Sequence, residues 1–373
     1  MQPHSPYPNS NRTDPPPTRR RSSQGGKRLR RRRRNPYIPI FCAVAVLLLL
    51  IAAAGFLIIK ALGSSGEENP GDVSQSIPDQ SVTAAISIPE PEPEPVYELY
   101  TTENTVHLEE PFPSQYVVLI DMETGEILAQ RDSDVRINPA SMTKILTLLV
   151  AAETIQDWDA TFTMTIAESD YCFQNECSVV GYMLDEVIPA KELLYGCILC
   201  SGADASLGLA QLACGSHEAF VVKMNEKLEE LGLAETTHFT NCVGLYDEDH
   251  YTTMEDMSLI LKAAWENELC REVLSTKIFN SQPTDQHPEG QVLSNWFIRR
   301  IEDLDNGAIT VLTGKTGYVT ESGFCAASYG ETEDGRGVLC VTAKSTGTWR
   351  SIYDHSELFR TFFPAGEQPE QSE

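Results

Sequence analysis

Ser141 and Lys144 stand three residues apart in Asn138-Pro139-Ala140-Ser141-Met142-Thr143-Lys144. On a helix that spacing sets both side chains on one face, about one turn from each other. Pro139 fits a helix start, and the apolar run Ile145-Leu146-Thr147-Leu148-Leu149-Val150 behind it predicts a buried helix to about Thr154. A serine hydroxyl is a poor nucleophile until something takes its proton. A lysine can take it if burial or a neighbouring cation keeps the amine neutral. A serine in the first turn also has a backbone N–H with no intrahelical partner, free to meet an oxyanion. Ser-x-x-Lys arises by chance in many helices, so the pair gains meaning from what accompanies it.

Two further pieces accompany it. Ser201-Gly202-Ala203-Asp204 follows the helical stretch Lys191–Cys200, and Lys315-Thr316-Gly317 lies on a late predicted strand. Ser-x-x-Lys, a Ser-x-Asn-type turn and Lys-Thr-Gly on a strand together make the signature of penicillin-binding proteins and serine β-lactamases. From about 113 to 363 the chain resembles the serine-type D-alanyl-D-alanine carboxypeptidases, the low-molecular-weight penicillin-binding proteins. The resemblance extends to Glu192-Leu193-Leu194-Tyr195-Gly196, to Thr237-His238-Phe239-Thr240-Asn241 with Gly244-Leu245, and to His250-Tyr251-Thr252-Thr253.

Residue chemistry and the resemblance give matching roles. Ser141 attacks the peptide carbonyl between two D-alanines and becomes the acyl-enzyme. Lys144 is the base, kept neutral by burial and by the charge of Lys315. Ser201 relays a proton to the leaving D-alanine. Lys315 and Thr316 hold the terminal carboxylate, and Gly317 lets the substrate lie against the strand like an added strand. The N–H groups of Ser141 and Tyr318 form the oxyanion hole, the latter by its place after Lys-Thr-Gly. The resemblance implies a peptidoglycan stem peptide ending in D-Ala-D-Ala as substrate, β-lactams as acylating inhibitors, and neither cofactor nor metal. One position departs: Ala203 stands where the family usually has asparagine, which implies slower acylation, altered substrate choice, or compensation by another polar group. Asp204 reads as structural.

The elements that must position these residues begin with a hairpin. Tyr116–Asp121 reads as a strand, Glu123-Thr124-Gly125-Glu126 as a turn and Ile127–Gln130 as the return strand. A mostly helical middle follows, with strands again at Ile309–Lys315, Gly323–Tyr329 and Gly337–Lys344, and a closing helix from Trp349 to Phe363. Such an order does not suit a doubly wound fold. It predicts a mixed α+β class: the hairpin joins the late strands in one antiparallel sheet, flanked by helices with a helical subdomain, as in the DD-peptidase and serine β-lactamase fold.

Charge divides the 373 residues sharply. Residues 1–36 carry eleven Lys and Arg against one Asp, while the remainder carries seventeen against 53 acidic residues, giving −26 overall. So acidic a body is a poor nucleic-acid binder. Ile40–Ile59 is uncharged and, at about 1.5 Å per residue, about as long as a bilayer core is thick. The arginine cluster before it orients an uncleaved anchor with the N-terminus cytoplasmic and the body outside the cytoplasm. Ala61-Leu62-Gly63 resembles a signal-peptide cleavage site, the competing reading. The expected organisation is a basic tail (1–36), a transmembrane anchor (37–62), a Pro/Glu-rich linker (63–112), the catalytic domain (113–363) and a polar tail (364–373). The cysteines, Cys197 and Cys200 included, read as small core hydrophobes.

Rival readings are a serine β-lactamase, for which the middle holds no convincing Glu-x-x-Leu-Asn loop, a weakened wall-binding relative, and a tethered structural protein whose basic tail is the working part.

Overall fold

The computed structural model describes residues 97–365, and its first backbone pairing comes earlier than the sequence predicts. Strand β1 (Val106–His107) pairs in parallel with β3 (Ile127–Arg131), and Tyr100 bridges to Glu126. The Thr105 hydroxyl donates to the Ile127 carbonyl at 2.7 Å, and Phe112 packs against the core. The expected linker end at 112 is therefore corrected: residues 97–112 belong to the folded body. Their Thr- and Glu-rich composition hides this, because β3 supplies backbone partners rather than an apolar surface. The basic tail, the expected anchor and residues 63–96 lie outside the described residues.

In the sequence, β2 (Tyr116–Asp121) falls between β1 and β3. A 3-10 turn, Ala140–Met142, enters α1 (Thr143–Thr154), and β4 (Thr161–Thr163), α2 (Ile166–Gln174) and β5 (Val187–Pro189) follow. The helical middle is α3 (Ala190–Leu199), α4 (Ala203–Cys214), α5 (His217–Glu230), α6 (Met254–Glu266) and α7 (Glu268–Leu274). Next come β6 (Ile278–Asn280), β7 (Val292–Ser294), α8 (Trp296–Ile301), β8 (Thr310–Val319), β9 (Gly323–Glu331), β10 (Gly337–Ser345) and α9 (Thr348–Phe362).

The main sheet runs β1-β3-β2-β10-β9-β8, antiparallel throughout except for β1 with β3. The hairpin thus joins the three late strands as expected, with β2 beside β10. Alternate residues of a strand face opposite sides. Val118 and Ile120 of β2 pack with Ile145, Leu148 and Leu149 of α1, while Val117 and Leu119 pack with Ile352 and Phe359 of α9. Helices therefore cover both faces of the sheet. From Thr143 to Ala151 every residue of α1 is buried, the behaviour of a helix apolar all round. The pairs β4–β5 and β6–β7 were not expected; three-residue strands carry too little pattern to read.

Candidate active site

Ser141 lies in the 3-10 turn rather than in the first α-helical turn, and Ala140 before it has φ +49°. That conformation costs a non-glycine residue about 1–3 kcal/mol. The Ala140 N–H donates to Asn138 Oδ1 at 2.9 Å, and its carbonyl accepts from the Thr143 hydroxyl at 2.7 Å. Gly244, at φ +79°, presses so close that a Cβ there would lie 2.0 Å from the Ala140 oxygen. No acceptor for the Ser141 N–H is found among the described residues.

Lys144 is 2 % exposed, and its Nζ donates to Ser141 Oγ at 3.2 Å and to the Val243 carbonyl at 2.5 Å. That carbonyl is aimed by Asn241, whose Oδ1 accepts the N–H groups of Val243, Gly244 and Leu245. Burial pushes the Lys144 amine below its ordinary range, against the opposing pull of Cys197, Cys242, Cys177 and Asp204.

Ser201 follows the end of α3 in the left-handed region, φ +55°. Its hydroxyl accepts from Lys315 Nζ at 2.8 Å, and the same amine donates to the Thr316 carbonyl at 2.7 Å. Lys315 is 3 % exposed and is pushed down to about 7, first by burial and then by the Lys144 charge. Both amines are thus lowered, with burial the leading cause. The Lys144 charge bears on Lys315, whereas the lowering of Lys144 itself comes from burial.

Lys315, Thr316, Gly317 and Tyr318 lie on β8, the edge strand of the sheet. Gly317 faces the serine turn: a Cβ there would be 2.8 Å from the Ser141 nitrogen and 3.0 Å from the Ala140 Cβ. The Tyr318 side chain is 55 % exposed, its ring 4.5 Å from that of Phe324. Two direct hydrogen bonds join Ser141 to Lys144 and Ser201 to Lys315, and the two pairs meet where Gly317 packs on the nucleophile's turn and the Lys144 charge bears on Lys315.

Ala203 opens α4, 1 % exposed, with its N–H on the Ser178 carbonyl. Asp204 accepts the N–H groups of Val180, Gly181, Tyr182 and Ala205, and so holds the 180–182 segment against the second motif. A cavity of about 720 Å³ lies behind this segment, lined by Cys172, Phe173, Cys177 and Tyr182 rather than by Ser141. Of the nine described cysteines, Cys197 is buried in the core and Cys200 is half-buried beside Ser201; none is paired.

The sequence assigned no role to Asn241 or Val243. The stretch around them was recognisable, but an acceptor for Lys144 that is a backbone carbonyl has no signature in residue type.

A serine turn docked on the edge strand of such a sheet, with helices on both faces, is the architecture of the DD-peptidase fold. Solved structures agree: a mutant of the Streptomyces K15 DD-transpeptidase aligns with TM-score 0.60 at 25 % identity over 67 % of this chain and 97 % of that one. The D-alanyl-D-alanine carboxypeptidase from Mycobacterium tuberculosis H37Rv aligns with TM-score 0.57 at 26 % identity over 69 % and 93 %. Residues 103–345 match the family model described as D-alanyl-D-alanine carboxypeptidase, and the chain belongs to that family. Among curated relatives, DacF of Bacillus subtilis (strain 168), named a D-alanyl-D-alanine carboxypeptidase, is 33 % identical over 231 residues, covering 61 % of this chain. The match spans 57 % of that relative's length. A namesake enzyme of Streptomyces sp. (strain K15) is 30 % identical over 60 % of this chain and 78 % of its own.

Proposed function

We propose that this chain is a membrane-anchored serine D-Ala-D-Ala carboxypeptidase, which removes the terminal D-alanine from peptidoglycan stem peptides through an acyl-enzyme on Ser141. The observation that carries the reading is the 3.2 Å contact between Ser141 Oγ and the buried Lys144 amine. Neutral Lys144 takes the hydroxyl proton as Oγ bonds to the carbonyl carbon between the two D-alanines. The Ser141 and Tyr318 N–H groups receive the oxyanion. As the C–N bond breaks, the proton that Lys144 took passes by way of the Ser201 hydroxyl, 2.8 Å from Lys315 Nζ, to the departing amine, and Lys144 is neutral again. In the complex the substrate's terminal carboxylate favours the charged form of Lys315, which with Thr316 holds that carboxylate, and the substrate backbone lies along the open edge of β8. Water then adds its oxygen to the acyl carbon, and its proton returns through Lys144 to Ser141 Oγ as the ester C–O bond breaks.

Intact mass after incubation with a penicillin tests the reading. One acyl group is expected on the wild type and none on Ser141→Ala, together with D-alanine release from a D-Ala-D-Ala peptide by the wild type. An adduct that persists in Ser141→Ala overturns the assignment. Rapid β-lactam turnover without peptidase activity would make the chain a β-lactamase, and neither activity a wall-binding relative.

The anchored state rests on Ile40–Ile59 and the preceding arginines. No helix among the described residues is long and apolar enough to cross a membrane, and the expected span lies outside them. N-terminal sequencing of the native protein is expected to find the arginine tail retained; a start near Ser64 overturns the anchor.

A further inference from the structure

We infer that His250 is a positioning residue for the nucleophile, holding the peptide unit that carries the Ser141 N–H through two side chains, Asn138 and Thr143. The inference rests on the acyl-enzyme reading above and adds to it a residue that touches neither substrate nor reacting atoms.

The Ala140 carbonyl and the Ser141 N–H belong to one planar peptide and point in opposite directions. Pinning the carbonyl therefore aims the N–H. Two groups of Thr143 pin it, the backbone N–H and the hydroxyl, the latter 2.7 Å from the Ala140 oxygen, and Thr143 Oγ1 in turn lies 2.8 Å from His250 Nε2. The direction of this chain is fixed. Thr240 donates its N–H to His250 Nδ1 at 3.0 Å, so Nδ1 is the acceptor and the ring proton sits on Nε2. Nε2–H donates to Thr143, whose own proton is committed to Ala140.

The other end of Ala140 leads to the same residue. Its N–H donates to Asn138 Oδ1, and Asn138 Nδ2 donates to the His250 carbonyl at 2.9 Å. A left-handed residue persists only where its surroundings over-determine it. Here both polar groups of Ala140 are fixed, and both paths end on His250. The ring itself is immobilised: it is buried, and it stacks on Phe239 with centroids 4.7 Å apart and planes 13° from parallel. Without the Nε2 donor, the Thr143 hydroxyl is free to turn, and the peptide keeps only the Thr143 backbone N–H, which is shared with the Ser141 oxygen, to hold its N–H toward β8.

Stopped-flow acylation by a penicillin, resolving the precovalent dissociation constant from the acylation rate constant, tests this. His250→Leu and Thr143→Val should each lower the rate constant about 10- to 100-fold, the scale of a displaced oxyanion donor, with precovalent affinity unchanged. The double variant should be no slower than the slower single variant, because one chain is cut twice. Thr143→Ser, which keeps the hydroxyl, should restore most of the rate. Thr143→Val conserves volume, so it and Thr143→Ser decide the matter if His250→Leu does not fold. Thr143→Val acylating at the wild-type rate overturns the inference, as do multiplicative losses in the double variant. A lowered melting temperature with unchanged acylation per folded molecule reduces His250 to a purely structural residue. If the wild type itself is never acylated, the functional reading falls, and this inference with it.

Discussion

Gly317 packs its Cα face against the backbone of Ser141, so closely that a methyl group there would stand 2.8 Å from the Ser141 nitrogen. The edge strand and the nucleophile's turn are thus docked backbone to backbone, and neither can move without the other. Gly317→Ala is expected to push the turn off β8. Overpacking of this kind costs about 1–3 kcal/mol, and a misplaced nucleophile about 100-fold in rate. Denaturant midpoint and penicillin acylation rate, measured together, check it; a variant with both unchanged shows that the turn yields freely.

Lys144→Arg separates a base from a mere positive charge. Arginine keeps the charge and can still donate to the Val243 carbonyl, but it does not give up its proton in proteins. If neutral Lys144 takes the Ser141 proton, acylation should fall about 10²–10⁴-fold, the usual worth of a general base. Precovalent affinity for a penicillin should persist. Near wild-type acylation in Lys144→Arg would mean that the proton leaves by another route.

How much of this was legible in the sequence varied with how each residue acts. Ser141, Lys144, Ser201 and Lys315 act by side chain at fixed spacings, and all four were readable. Asn241 acts by aiming a carbonyl, and His250 by holding a peptide through Asn138 and Thr143. Such roles depend on contacts about a hundred residues apart, which residue type does not encode. The main sheet was readable because β2, β9 and β10 are runs rich in apolar residues between turn residues, and β8 carries the Lys-Thr-Gly motif. Strand β1 was not, because its two residues are exposed and its value lies in backbone pairing with β3. The expected cause of the lowered Lys144 amine is corrected: burial lowers it, and the charge effect between the two lysines falls on Lys315 instead.

Lys315 makes stability depend on pH. Its folded-state pKa is about 7 against an ordinary 10.5. Between those values the unfolded chain holds a proton on this lysine that the folded chain lacks, so raising pH favours the fold. Relative to Lys315→Met, the wild type should therefore gain stability as pH rises from about 7 to about 8, a range below the ordinary midpoints of cysteine, tyrosine and lysine. The comparison cancels most groups common to both proteins. Paired melting curves read it, and a difference that does not vary with pH would mean that Lys315 stays charged when folded.

Ala203 is the position at which this chain departs from its family's usual second motif, and it is 1 % exposed at the start of α4. An asparagine there would bring a donor and an acceptor to a site already holding two buried amines, Lys144 and Lys315. One hydrogen bond to a charged group contributes about 1.5–3 kcal/mol. Realised mostly in the transition state, that raises the rate about 10- to 100-fold. Ala203→Asn is accordingly expected to speed acylation of Ser141 by a D-Ala-D-Ala peptide or a penicillin. The opposing force is volume. Ala203 packs within the main core cluster, and its N–H is already committed to Ser178. If the larger side chain finds no room, the start of α4 shifts, and with it Ser201 two residues before. Stopped-flow acylation beside a melting curve distinguishes the two: faster acylation at unchanged melting temperature means that the alanine limits catalysis. An equal or slower rate means that the site has been rebuilt around the smaller residue, and the expectation of reduced activity is wrong.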